Sequence, residues 1–117
     1  MDDAILTFLQ EKVNSFVKWD LIRFFHDNPH TKDTAENIAR YTGRDKIAVA
    51  HELDELVLNG VLKAEMITNY RVYCLVDDIQ TRQLIERFMD ACHDREFRVE
   101  AINQVIKQMQ FSPRHDF

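Results

Sequence analysis

Cys92, His93 and Asp94 set a thiol, an imidazole and a carboxylate side by side, and these are groups that bind zinc and related ions when they converge. Their spacing works against convergence. In a helix consecutive side chains point about 100° apart, so three in a row address three directions. The paired spacings of a metal-sensing site are absent, and Cys92 on an apolar seam reads as a small packing residue. Cys74 lies two residues from Val72 in a β-prone run and reads as packed too; Arg71 belongs on the other strand face, so the pattern offers no activated thiolate. No Gly-rich phosphate loop, nucleophile elbow, paired catalytic carboxylates or zinc-hydrolase motif is present. His26 and His30 flank a turn and His115 sits in the tail. The expectation is no enzyme, no metal and no cofactor.

The bulk of the chain narrows what else it can be. Its 117 residues make one domain that buries roughly two-thirds of the surface exposed when unfolded. With 45% hydrophobic and 30% charged residues, two glycines and two prolines, long helices are favoured over a strand-rich sandwich. The net charge of −5 and pI of about 5.5 suit a soluble cytoplasmic protein and argue against a broad, sequence-independent coat on nucleic acid. A local basic patch is the alternative. Two cysteines without metal-type pairing read as reduced cytosolic thiols. The chain opens Met1-Asp2-Asp3 without a basic leader, and no apolar run approaches the ~18 residues of a membrane span, so no membrane is expected.

Leu6, Leu9, Val13 and Phe16 recur in steps of three and four, which predicts an amphipathic N-terminal helix over 1–16. The run "VKWDLIRFFH" at 17–26 is apolar on most sides and predicts a helix buried by several neighbours, broken before Pro29. Asp33 or Thr34 can cap a short helix that carries Ile38 and Ala39 and ends at Gly43, where a left-handed residue is needed. Asp45 can start the next helix, with Val49, Leu53 and Leu56 on its buried face. "VLKAEMI" and "YRVYCLV" flank Thr68-Asn69 and predict a tight hairpin. From Ile79 onward there is no glycine, and Ile85, Phe88, Cys92, Val99, Ile102, Ile106 and Met109 follow steps of three and four interrupted only at Arg95. One long helix over 77–112 with an irregular tail at 113–117 is the expectation.

Helix, short helix, glycine turn, helix, hairpin: over residues 17–76 the chain resembles the winged helix-turn-helix superfamily, and within it the MarR/ArsR-like bacterial regulators. "TAENIARYTG" at 34–43, "VAHELDELVLNGVL" at 49–62 and the strands that follow carry the likeness. "FLQEKVNS" at 8–15 is similar to a helix that opens small bacterial winged-helix proteins. The resemblance implies a fold that is mostly α with a small two-stranded β-wing, flanked by an N-terminal and a long C-terminal dimerisation helix. It implies a transcriptional regulator that reads duplex DNA with the helix at 45–59 and the wing at 61–76. Winged helices also serve as protein-docking modules.

A recognition helix of this kind enters the major groove with its N-terminal residues. On that footing Arg44, Lys46, Ile47, Ala48 and His51 are the candidate base and phosphate contacts, with Arg71 reaching from the wing and Lys32 and Arg40 holding the backbone. Residues 31–76 hold six Lys/Arg against seven Asp/Glu, so the footprint is not basic as a whole. The competing reading takes Ile47, His51 and Leu58 as an outward apolar stripe that docks a protein partner and binds no nucleic acid. For a homodimer, the candidate interface is Leu6, Leu9 and Val13 with Ile85, Phe88, Cys92, Val99, Ile102, Ile106 and Met109.

Overall fold

A computed structural model describes residues 1–111; the tail expected at 113–117, and residue 112 of the last helix, lie outside them. The N-terminal segment is shorter and less regular than expected. Helix α1 spans Asp3–Phe8, with the Asp2 carboxylate accepting from the Ala4 amide at 2.7 Å, and it runs on into a π-helical turn, Leu9–Val13. Ser15 ends it: its extended backbone leaves the helix, and its Oγ accepts from the Lys18 amide at 3.1 Å to cap helix α2, Phe16–Asp27.

After α2 the chain forms strand β1, Asp33–Thr34, and Thr34 Oγ1 then caps α3, Ala35–Thr42, by accepting from the Asn37 amide at 3.2 Å. Gly43, at φ +69°, takes the left-handed position that closes α3. Asp45 accepts from the Ala48 amide at 2.9 Å and starts α4, Lys46–Leu58, with Val49, Leu53 and Leu56 buried as the periodicity predicts. Strands β2, Leu62–Ile67, and β3, Tyr70–Leu75, pair antiparallel from Leu62↔Leu75 to Ile67↔Tyr70 around Thr68 and Asn69.

The sheet has three strands, not two. Asp33 and Thr34 pair with Tyr73 and Val72, which makes β3 the central strand of the order β1-β3-β2. Val72, Tyr73, Cys74 and Leu75 of that strand are all buried, so both of its faces are covered there, where a hairpin covered on one face alternates. Two residues are too few to show a strand period, so β1 leaves no sequence signal of its own.

The expected long helix over 77–112 is two helices, α5 at Ile79–Ala91 and α6 at Arg95–Gln110. Asp94 accepts from the Phe97 amide at 3.0 Å and so caps α6, while the amides of His93 and Asp94 close a turn onto the carbonyls of Asp90 and Ala91. Steps of three and four fit either arrangement; the cap decides it. The same break removes the premise that Cys92, His93 and Asp94 share one helix.

One core runs from Ile5 to Val105 and draws on every helix. Phe88 lies at its centre, its ring 5.7 Å from Phe8, 5.2 Å from Trp19 and 6.1 Å from Phe97. Leu9, Val13, Ile85 and Phe88, expected at a dimer interface, are therefore buried by their own chain, and Leu6, Cys92 and Met109 are half-buried. Only Val99, Ile102 and Ile106 of that set stand outside, at 53%, 39% and 40% exposure. Among the described residues no helix is long and apolar enough to cross a membrane.

Candidate functional site

Apart from Lys32, the candidate residues lie on the α3–turn–α4 unit and the hairpin. With Val49, Leu53 and Leu56 in the core, α4 turns Lys46, Ile47, His51 and Leu58 to solvent; Ile47 is 80% and Leu58 86% exposed, and Ala48 is half-buried. The hairpin flanks this face. Arg71 of β3 reaches Asp54 of α4 at 3.0 Å, and the Tyr73 hydroxyl donates to the same carboxylate oxygen at 2.6 Å. Burial first, then the bond to Asp54, raises the Tyr73 hydroxyl above its ordinary pKa, which keeps it a neutral donor there.

Every cation singled out in the sequence already faces an acid. Arg44 places Nε and Nη2 at 2.7 and 2.6 Å from Asp20 of α2, and Asp20 also takes Arg23 at 2.9 Å. Lys46 and Arg40 share Glu36 at 3.5 and 3.9 Å, Lys32 meets Glu65 at 3.3 Å, and His51 lies 3.3 Å from Glu55. Apart from Arg44 and His51, these are exposed pairs, of the kind worth about 0–1 kcal/mol. The acids nonetheless stay on the face and oppose an incoming polyanion.

Behind this face lies a network that single-sequence reasoning missed. Lys18, 1% exposed in the middle of α2, places its ammonium 3.1 Å from Glu52 and 2.5 Å from Glu55, and donates to Asn14 Oδ1 at 2.8 Å. Ser15 Oγ donates to Glu52 at 3.3 Å, and Lys12 donates to the Asn59 carbonyl at 2.5 Å. The acids in the second half of α4 thus fasten the N-terminal segment and α2 to that helix. A lysine in the apolar run of 17–26, with Glu52 and Glu55 one turn apart, was the available signal.

His51, Glu52 and Glu55 bring one ligand atom each within 4.8 Å of one another, which among the described residues is the one such group. The Lys18 ammonium already occupies its two carboxylates, so the cluster is complete as an organic ion network. Cys92, His93 and Asp94 do not gather.

A groove of about 500 Å³ opens between α2 and the α5–α6 corner, lined by Phe16, Trp19, Met89, Cys92 and Ile102 together with charged residues that include Asp20, Arg23 and Arg98. Burial pushes the Cys92 thiol up, against the pull of Arg98 and Arg23, which disfavours its thiolate.

Fold and site together define a mostly helical protein with a small three-stranded antiparallel sheet, an exposed helix and a hairpin beside it. The chain matches no protein-family model, no curated protein and no solved structure.

Proposed function

We propose that the chain is a winged helix-turn-helix module that presents α4 and the β2–β3 hairpin to duplex DNA, as a bacterial cytoplasmic transcriptional regulator does. The observation that carries this is the N-terminal half of α4, which projects Lys46, Ile47 and His51 away from the core with the hairpin alongside, the geometry a major-groove helix needs. Arg44 suits a guanine edge, Ile47 and Ala48 a thymine methyl, and Arg71, Lys32 and Arg40 the phosphates. Binding on these terms exchanges each surface ion pair for a phosphate.

The experiment is a duplex titration at several salt concentrations. The Arg44→Ala, Lys46→Ala pair is expected to weaken binding and flatten the salt dependence, because fewer counterions are released. A wild-type chain with no duplex affinity at ~50 mM salt, where even sequence-independent contacts hold, ends the DNA proposal.

One observation favours a second reading, in which the same face docks a protein. The candidate cations are all paired within the chain, and the side chains left most open on α4 are apolar, Ile47 and Leu58. A chain that ignores DNA at low salt is the outcome that supports it.

A further inference from the structure

Helix α4 ends at the pair Asn59-Gly60, and two sets of bonds hold it there. At the helix end itself the Gly60 amide donates to the Val57 carbonyl at 3.1 Å and the Val61 amide to the Leu56 carbonyl at 3.0 Å, with Gly60 at φ +79° in the left-handed position. From across the fold the Leu9–Val13 turn clamps Asn59 twice. Lys12 Nζ donates to the Asn59 main-chain carbonyl at 2.5 Å, and the Asn59 carboxamide donates to the Glu11 carbonyl at 3.3 Å. Leu9 and Val13 are fully buried, so the turn that supplies the clamp is anchored in the core. Gly60 is exposed, with open space where a side chain would stand. A carboxamide followed by an amide nitrogen that no side chain hinders is placed to close a five-membered ring.

We propose that Asn59 is a site of spontaneous deamidation, gated by the clamp from the Leu9–Val13 turn. The Gly60 nitrogen, after losing its proton to hydroxide, attacks Asn59 Cγ; the carboxamide C–N bond breaks, ammonia leaves and a succinimide forms. Water then opens the ring at either carbonyl to give aspartate or isoaspartate. The net change is carboxamide plus water to carboxylate plus ammonia, with no change of oxidation state. The folded geometry blocks the first step. At a ψ of −1° the Asn59 backbone stands roughly a third of a turn about its Cα–C bond from ring closure, and the ψ that closes the ring is one that sterics disfavour. The Gly60 proton is also held by Val57. Reaction therefore waits on local opening of the helix end, which the clamp opposes. Isoaspartate adds a methylene to the main chain between α4 and β2 and sets a negative charge against the Glu11 carbonyl, so the modified chain does not re-form the clamp.

The site is the same whether α4 reads DNA or docks a protein, so its test is separate from theirs. The full chain is incubated at mildly alkaline pH, folded and in urea, and Asn59 is followed by peptide mapping in a mass spectrometer, with isoaspartate counted by enzymatic methylation. Asn59 is expected to be the first asparagine modified in urea and to react at least ~10-fold more slowly in the folded chain, where only the opened fraction is reactive. Lys12→Met removes one arm of the clamp and is expected to speed the folded reaction severalfold. Hydrogen exchange at the Gly60 and Val61 amides should rise by the same factor while the core amides of α2 stay protected, which separates local opening from unfolding. Gly60→Ala slows the reaction in urea, where the helix end no longer matters, because a side chain then hinders the attacking nitrogen. An Asn59 that survives urea, reacts equally fast folded and unfolded, or is indifferent to Lys12→Met overturns the proposal.

Discussion

Arg44 holds Asp20 through two nitrogens on one carboxylate oxygen, at 2.7 and 2.6 Å, and Asp20 in turn bridges to Arg23. The guanidinium best placed to lead α4 into a groove is thus tied back to α2. Asp20→Asn removes the competing charge. Duplex affinity is expected to rise severalfold at low salt, as the guanidinium is freed for a base edge, and the gain to shrink as salt screens the acid that opposed the polyanion. Fluorescence anisotropy over a salt series measures both. An unchanged affinity means that Arg44 does not reach the duplex.

Lys18 is the buried hinge pin between α2 and α4. Lys18→Met leaves Glu52 buried and Glu55 partly buried without their cation, and loss of one partner of a buried pair costs about 3–5 kcal/mol. Urea denaturation should show that loss. Adding Glu52→Gln to Lys18→Met is expected to recover part of it, since the stranded charge is gone. Equal stabilities for the single and double variants would count against a buried ionic network.

His26 places Nε2 at 2.8 Å from Glu86 of α5 and Nδ1 at 3.2 Å from Asp27. Partial burial of the ring works against the charged form, yet the bonds and charges of Glu86 and Asp27 outweigh it and raise the His26 pKa. A folded pKa above the unfolded value of ~6.5 means that the contact stabilises fully below that pH and fades as pH rises through the folded value. The stability difference between wild type and His26→Gln should therefore be largest near pH ~6 and shrink by pH ~8. A difference that is flat over that window would show that protonation of His26 does not support the α2–α5 contact.

Gly43 sits at φ +69° with open space where a Cβ would go. The cost of Gly43→Ala is thus conformational alone, about 1–2 kcal/mol in the left-handed region, and Gly43→Asn should cost less. Thermal melts of the two variants rank them. If alanine is as stable as asparagine, the α3–α4 turn has relaxed to another conformation.

Features set by neighbours in sequence were legible: the glycine at 43, a cap at Asp33 or Thr34 and another at Asp45, the Thr68-Asn69 hairpin and the buried face of α4. Each rests on a few consecutive residues whose side chains and backbone satisfy one another. Features that join distant residues were not. Periodicity marked Leu9, Val13, Ile85 and Phe88 as covered but not by which chain, and their own core covers them. The solvent side of α4 was placed correctly, yet the acids opposite Arg44 and Arg71 lie 24 and 17 residues away, so the charge balance of the face appears only on folding. Asp94 drew notice only beside Cys92 and His93, because a cap inside a continuous apolar pattern has no separate signature.

The two residues of β1 have a consequence larger than their number. By taking the far side of β3 they make it the central strand and leave the sheet with two borders, the two-residue β1 and β2, where Lys63 is bound to Asp77 at 3.1 Å. A lysine on a short border strand discourages a foreign strand from adding on, so β1 and Lys63 together guard this small sheet against templated aggregation into fibrils.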